Sequence, residues 1–537
     1  MKTDFEIAVI GSGFAGSVMA MIARRLGRSV VLLEKGRHPR FVIGESSTPL
    51  ANLLLEELAR TYDLPQLLPF TKWGTWQREH PELAAGLKRG FTFHHHRFDE
   101  PYEVDALRHR QLLVAASPHD EIADTHWFRA DLDAWLVRQA QLLGVDYRDG
   151  CSVRAMEIKE SGACLTVERD GGSAEVRVRF VIDASGPRGC LHRLLGLEET
   201  PLPEFPGTQT QYSHFIEVRR FGSELEPKHE GSRKSQGAKW ALMRTDPWDV
   251  PPYPPDDAAV HHVFPGGWMW MLRFNNGITS AGVSVTDALA DDLKLGEGEA
   301  AWRRLLARLP SVADLFRDAR PVRPFVHQSR VAFRSRQIVG QCWVLLPSAA
   351  GFVDPLLSTG FPLTLLGVKR LAAIVADAWN TESLHARLAG YARTTDDELL
   401  VAAELIGGLL KSLDRPVAFN ALTQLYFAAA SFSESAIRLG HPELAEGFLL
   451  HQRGGFREGL RRCIALAAAG DEKELSDEVT RLIAPINVAG LADPAKRNWY
   501  SCHAEDLLRN AAKVNSTRDE VAAMLERIGF HDQEPVR

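Results

Sequence analysis

The segment Glu6 to Ile10 is apolar and β-branched, the pattern of a buried parallel strand. A glycine-rich turn follows, then a helix-like run through Arg25, a stop at Gly27 and a second strand at Ser29 to Leu33. Arg129 to Leu143 carries a helical pattern and Val145 to Arg148 a short strand. Two β-rich stretches, Val153 to Val167 and Glu175 to Ile182, flank a turn at Asp170-Gly171-Gly172. From about 205 to 335, strand-like alternation mixes with proline-rich loops such as Pro251 to Pro255, which predicts an inserted sheet that holds substrate. Beyond about residue 362 the pattern is helical almost to the end, with breaks at Pro416, Pro442 and 484–495. No internal repeat or long low-complexity linker divides the chain, so its domains are expected to interleave.

At 537 residues the chain is long enough for two or three packed units. With 45% hydrophobic and 25% charged residues it has the composition of a soluble globular protein that needs no metal or disulfide staple. A net charge of −6 gives no reason to expect nucleic acid or an anionic membrane, although an acidic carrier protein can still dock on a local basic patch. The six cysteines, at 151, 164, 190, 342, 463 and 502, show no metal-like spacing and read as reduced structural thiols. Met1-Lys2-Thr3-Asp4 runs almost directly into the first strand without a secretory core, and no uninterrupted run of about 18 apolar residues spans a bilayer. The expectation is a cytoplasmic enzyme with no membrane span.

Gly11-Ser12-Gly13-Phe14-Ala15-Gly16 stands between the first strand and the first helix. The first glycine permits the tight turn, the second lets backbone approach a pyrophosphate, and the third allows close helix–strand packing. The helix N-terminus favours the phosphate charge. Glu34 ends the next strand, 18 residues past Gly16, where a carboxylate can accept ribose hydroxyls. NAD and FAD share this fingerprint.

Four further segments follow in order: Gly44-Glu45-Ser46-Ser47-Thr48-Pro49, Phe128-Arg129-Ala130-Asp131-Leu132-Asp133, Val181-Ile182-Asp183-Ala184-Ser185-Gly186 and Ala350-Gly351-Phe352-Val353-Asp354-Pro355. Together with the glycine turn they resemble the FAD-dependent monooxygenase-like superfamily that includes the flavin-dependent halogenases, over residues 6 to about 370. The resemblance implies FAD as cofactor. Its implied binding set is Gly11, Gly13, Phe14, Ala15, Gly16, Glu34, Lys35, Glu45, Ser46, Ser47, Arg129, Val153, Asp183, Ser348, Asp354 and Gly360. Pro347-Ser348 stand where the superfamily usually carries Gly-Asp or Gly-Asn. The implied fold is α/β: a Rossmann-type FAD-binding domain at 1–205 and 335–370, an inserted β-sheet substrate domain at 206–334, and a helical C-terminal region at 371–537. No second GxGxxG has strand–helix context, so the reduced flavin is expected from a separate flavin reductase.

Trp268-Met269-Trp270-Met271-Leu272 places two indoles on one strand face and resembles the halogenase W-x-W-x-I motif. Leu272 replaces its isoleucine, and Arg273 stands where the family usually has proline. Taken alone the pair reads equally as core tryptophans. In a halogenase, reduced flavin and O2 oxidise halide to hypohalous acid, which a lysine ammonium holds or polarises. Lys88-Arg89-Gly90-Phe91-Thr92-Phe93 matches the family's K-x-G-x-x-F context, and Lys72-Trp73-Gly74 is a partial second match that stays open. Asp354-Pro355-Leu356-Leu357-Ser358-Thr359-Gly360 resembles the D-P-x-x-S-T-G stretch, which implies that Thr359 and Gly360 amides bind chloride or bromide. Tryptophan halogenases carry glutamate where Leu357 stands, so a phenol or pyrrole is expected in preference to free tryptophan.

His94, His95 and His96, and likewise His261-His262, bring no third ligand with metal-like spacing; no metal is expected, and a polar strand end or pocket wall is the reading. The C-terminal aromatics Tyr426, Phe427, Phe432, Trp499 and Tyr500 can close over a substrate, but core packing explains them equally well and core is the default. The leading expectation is halogenation of an electron-rich small molecule, free or tethered to a carrier protein, in secondary metabolism. A flavin hydroxylase or oxidase without halide chemistry, to which Arg273 and Pro347-Ser348 point, is the first alternative. A prenyl reductase of the geranylgeranyl-reductase type and a non-catalytic FAD-binding module follow it.

Overall fold

A computed structural model describes residues 3–221 and 250–531, so residues 222–249 of the expected inserted sheet lie outside it. Strand β1 (Phe5–Ile10) is central to the first sheet, with Ile7, Ala8 and Val9 fully buried. It pairs in parallel with β2 (Val30–Leu33) and with Gly172–Asp183. Helix α1 (Phe14–Arg25) makes the β1–β2 crossover and is buried from Phe14 to Ala23. Beyond β2 the sheet adds Asp146–Arg148; beyond Gly172–Asp183 it adds the antiparallel strands Gly162–Arg169 and Cys151–Lys159. Trp343–Leu345 joins Gly172–Asp183 in parallel, so the chain returns to this sheet after its insertion. All six cysteines are free thiols.

The second sheet has nine strands among the described residues, and it is wider than the segment 206–334. Thr208–Ile216, Thr279–Thr286, Gly267–Arg273 and Ala259–Phe264 run side by side within that segment. The short strands Arg320–Pro321 and Val326–Gln328 pair with Thr208–Ile216. Three further elements are recruited from outside it. Strand β3 (Ala85–Lys88) forms a separate pair, but β4 (Gly90–His95) lies parallel to Ala259–Phe264, β5 (Gln111–Ala115) pairs with β4, and Trp499–Tyr500 pairs with β5. A local pattern shows that β4 is a strand but not which distant strand it joins.

Both faces of this sheet are covered. Trp268, Trp270 and Leu272 join Phe91, Phe93, Phe419, Tyr426 and Phe427 in one core, beneath helices Leu384–Leu410 and Pro416–Arg438. Met269 and Met271 point into the other, with Leu289, Trp302 and Leu305. This is why tryptophan and methionine alternate without a polar position. The segment Leu356–Asp377 is long and apolar enough to cross a membrane, but 67% of its apolar window is buried in the protein. Its helix Gly360–Asp377 packs against α1, α2 (Pro49–Thr61) and Leu384–Leu410.

Candidate active site

The glycine turn is built from bare backbone. Gly11 has φ +98°, and a Cβ on Gly16 would lie 1.9 Å from the Gly11 carbonyl oxygen. Gly13 caps α1 without a side-chain hydrogen bond, which leaves the first-turn amides for an anion. Glu34 is buried and accepts from the Ser12 amide (3.0 Å), the Ser12 hydroxyl (2.9 Å) and the Gly36 amide (2.8 Å), with Arg40 at 3.4 Å. Burial opposes ionisation, but Arg40 and these donors together hold the carboxyl below its ordinary value. Buried His38 Nδ1 and Arg40 Nε have no protein partner, so polar atoms remain beside Glu34 for a nucleotide. This donor and acceptor set fits the adenosine and pyrophosphate end of FAD.

Around it, Lys35 is exposed and Val153 is half-buried. The Phe14 ring stacks on Phe361 with centroids 4.8 Å apart, and Ala15 is buried, so both offer a cofactor their backbone. Glu34→Ala is expected to weaken FAD binding about 10- to 100-fold, the worth of charge-assisted hydrogen bonds of ~1.5–3 kcal/mol. Fluorescence titration of apoprotein with FAD checks it; unchanged affinity would remove Glu34 from the cofactor site.

At the flavin end, the Thr48 side chain caps α2 and fixes the loop before it. The Ser47 hydroxyl and amide both donate to Thr125 O, at 2.9 and 3.1 Å, strapping the loop to β6 (Asp124–Trp127). Glu45 is buried with its Oε1 2.9 Å from His214 Nε2, and its Oε2 lacks a protein partner. Arg129 forks onto Asp133 (2.8 Å twice), donates to Gly44 O at 2.9 Å and lies over the Phe14 ring, which joins this loop to the glycine turn. Asp183 is placed differently from expectation. It is fully buried; Ser185 donates twice to one carboxylate oxygen and the Leu191 amide to the other. Its side chain holds the turn and is not presented to a cofactor. Pro347 is accommodated by a glycine elsewhere: a Cβ on Gly367 would lie 2.2 Å from Pro347 Cγ. Ser348, beside it, is half-buried.

Leu357 and Ser358 both adopt left-handed backbone, φ +63° and +55°. This pair reverses the chain into helix Gly360–Asp377, whose start at Thr359 has no side-chain cap, so the opening amides are available to an anion. Asp354 braces the approach, accepting from Trp268 Nε1 (3.2 Å), Ser284 Oγ (2.6 Å) and the Leu356 amide (3.0 Å). Burial pushes its carboxyl up to about 6 against those donors. Trp268 is thus tied to the anion loop, whereas Trp270 Nε1 lies 3.4 Å from Ser280 Oγ.

The two lysines stand apart. β3 pairs antiparallel with β6 and sets Lys88 opposite Asp124. Lys88 is fully buried; its Nζ donates to Ser46 Oγ (3.0 Å) and Ser47 O, 3.8 Å above the centre of the Phe91 ring. Burial pulls its ammonium down to about 7, with Asp124 opposing. Lys72 instead donates to Ile528 O at 2.9 Å, on the C-terminal helix Arg518–Ile528. A cavity of about 170 Å³ lies between β4, β5 and the C-terminal helices, lined among others by Asn52, Lys72, Phe91, Asp124, Tyr426 and Phe427.

Among the described residues, none of 206–334 lines this cavity. Tyr426, Phe427 and Tyr500 are wall residues as well as core. Asp124 is not evident in the sequence because only the strand register brings it to Lys88, and Asn52 is not because helix packing brings it to Asp124. His94 bonds Tyr102, His95 bonds Asn420 and His96 bonds His262, and among the described residues no three ligands gather for a metal.

The family model for FAD-dependent oxidoreductases matches residues 6–341. The chain is 29% identical over 407 residues to monodechloroaminopyrrolnitrin halogenase PrnC of Pseudomonas fluorescens, covering 74% of this chain and 66% of that protein. It is 30% identical over 371 residues to tetracycline 7-halogenase of Kitasatospora aureofaciens, covering 67% and 61%. It therefore matches just under two thirds of each of these relatives. The fold is that of halogenase PltM, solved with phloroglucinol and FAD: TM-score 0.78 at 22% identity, over 93% of this chain and all of that one. With FAD as the cofactor its glycine turn and Glu34 are built to hold, this enzyme belongs to the FAD-dependent oxidoreductase family.

Proposed function

We propose that the enzyme halogenates an electron-rich, phenol- or pyrrole-like aromatic ring with chloride or bromide, using reduced FAD supplied by a separate reductase. Lys88 carries the reading. Its Nζ lies between the Ser46-Ser47 loop and the cavity wall at Phe91, so an ammonium separates the cofactor side from the substrate side. When bound, reduced FAD with O2 supplies the oxidation of halide to hypohalous acid. The Thr359 and Gly360 amides hold the anion. The Lys88 ammonium then hydrogen-bonds the hypohalous oxygen and gives its proton to the departing hydroxide. The buried tryptophan pair keeps water and substrate from the cofactor side.

Relatives named for monodechloroaminopyrrolnitrin, tetracycline and carrier-bound pyrrole-2-carbonyl substrates support both the chemistry and the ring class. Of the two departures that favour a hydroxylase, Arg273 has a structural use. The Arg273 side chain is engaged with Asp256 at 2.9 Å and with Val218 O at 2.9 Å, an anchor at the strand end, where its backbone packs on β3. Purified enzyme with reduced FAD, O2, bromide and a panel of phenols and pyrroles is expected to yield products carrying the bromine isotope pair by mass spectrometry. A single added oxygen that is indifferent to halide would overturn the proposal. Free tryptophan is expected to stay unchlorinated, because Leu357 leaves no carboxylate at that loop position.

A further inference from the structure

Asp124 has no task in the reaction as written above, although it is the cross-strand partner of Lys88. It is 5% exposed and lines the cavity. Asn52 Nδ2 donates to its Oδ1 at 2.7 Å, but Oδ2 has no hydrogen-bond partner. Asn52, also on the wall, leaves its own Oδ1 without a partner. The Asn52–Asp124 bond fixes which end of the amide carries oxygen, so two buried acceptors lack donors at one spot. Buried acceptors of this kind are costly unless a ligand or water serves them. Beside them the Phe91 and Phe427 rings meet edge to face at 5.1 Å, and Tyr426 and Phe427 at 5.4 Å. The wall therefore presents aromatic surface and hydrogen-bond acceptors, which matches a flat ring that brings its own O–H or N–H.

We infer that Asp124, with Asn52 beside it, receives the ring O–H or N–H of the aromatic substrate and takes that proton while the ring is halogenated; this rests on the halogenase reading above. The step balances. The ring carbon attacks the halogen of hypohalous acid, the carbon–halogen bond forms and the halogen–oxygen bond breaks. The leaving hydroxide takes a proton from Lys88 and departs as water. The ring O–H or N–H proton passes to Asp124, giving a neutral dienone or imine. Loss of the proton from the halogenated carbon to the Lys88 amine restores the ammonium. Return of the Asp124 proton to the heteroatom restores the aromatic ring. Charge on the ring is thus removed as it develops, a function that Leu357 cannot serve.

The carboxyl and the ammonium are linked. Burial raises Asp124 to about 7 against Lys88, and lowers Lys88 to about 7. Glu434 and Arg438 from helix Pro416–Arg438 act on Asp124, and neutral His126 and His261 lie near Lys88. The base needs the carboxylate, present above its value, and the acid needs the ammonium, present below its own. Turnover should follow a bell with both limbs near 7, values that belong to the pair.

The test compares FAD-loaded wild type, Asp124→Asn and Asp124→Glu with bromide, on paired phenols and pyrroles and their O- or N-methyl counterparts. Wild type is expected to prefer the parent rings at least about 10²-fold in kcat/KM, and Asp124→Asn to lose about 10²- to 10⁴-fold on parents alone. Asp124→Asn should lose the acid limb of the pH profile, and Asp124→Glu should partly restore rate and limb. Calorimetry with phloroglucinol and its trimethyl ether reads binding without turnover: the phenol should weaken in Asp124→Asn and the ether should not. Equal use of methylated and parent rings by wild type, or an unchanged Asp124→Asn profile, overturns the role of Asp124 and leaves the halogenase reading standing. Absence of bromination by wild type on every ring overturns that reading, and this inference falls with it.

Discussion

Lys88→Ala is expected to abolish halogen incorporation, by about 10³-fold or more, while FAD binding is retained. The size of the loss follows from where the ammonium sits. Its Nζ bonds Ser46 and Ser47 on one side and rests on Phe91 on the other, in complete burial. Lys88→Ala removes the proton donor held between these groups, and the other lysine is engaged elsewhere. Lys72 is bound to Ile528 O at 2.9 Å on the C-terminal helix, so Lys72→Ala should keep turnover within a few-fold of wild type. Lys88→Met separates chemistry from packing. It preserves most of the buried volume and leaves Asp124 free to protonate, since burial has already raised that carboxyl to about 7. Halide incorporation by mass spectrometry and flavin absorbance per chain check the pair. Bromination surviving Lys88→Ala but lost in Lys72→Ala would reverse the assignment.

The parts of this site written in local order were legible in the sequence. The strand, the glycine turn, α1 and Glu34 lie within one βαβ unit, and each residue type is dictated by backbone approach or by charge at a helix start. What was not legible depends on register and on compensation at a distance. Asp124 meets Lys88 only because β3 and β6 run antiparallel in one register. Pro347 is tolerated only because residue 367 is glycine. Asp183 recurs in a family-like motif, yet only its hydrogen bonds show that the carboxylate is fully used by its own turn. The C-terminal aromatics pattern as helix core, and only the packed fold shows that Tyr426 and Phe427, in ring contact with Phe91 of β4, also line the cavity.

The glycine turn gives the other large expectation: Gly16→Ala should leave the enzyme without FAD and measurably less stable. A Cβ at this position would lie 1.9 Å from Gly11 O and 3.0 Å from the Ala184 side chain, so backbone has to move. Neither contact can yield cheaply. The Gly11 amide is bonded to Leu33 O and the Ala184 amide to Ile10 O, each at 2.8 Å, which locks both to the ends of the first sheet. Gly11 itself is held at φ +98°, and a Cβ there would sit 2.7 Å from Ala184 O, so its own turn has no slack. Relief must come from pushing α1 away from β1, which also withdraws the first-turn amides from the pyrophosphate. Overpacking of this kind costs about 1–3 kcal/mol or more in stability, and the displaced amides remove much of the affinity. Gly27→Ala is the control. It too has positive φ, +79°, but nothing stands within 4 Å of the added Cβ, so it should cost only about 1 kcal/mol and keep its flavin. Flavin absorbance per chain and thermal melting with and without added FAD distinguish the two. A Gly16→Ala protein that carries stoichiometric FAD and melts like wild type would show that the helix can slide, and that the third glycine is not what brings it to the sheet.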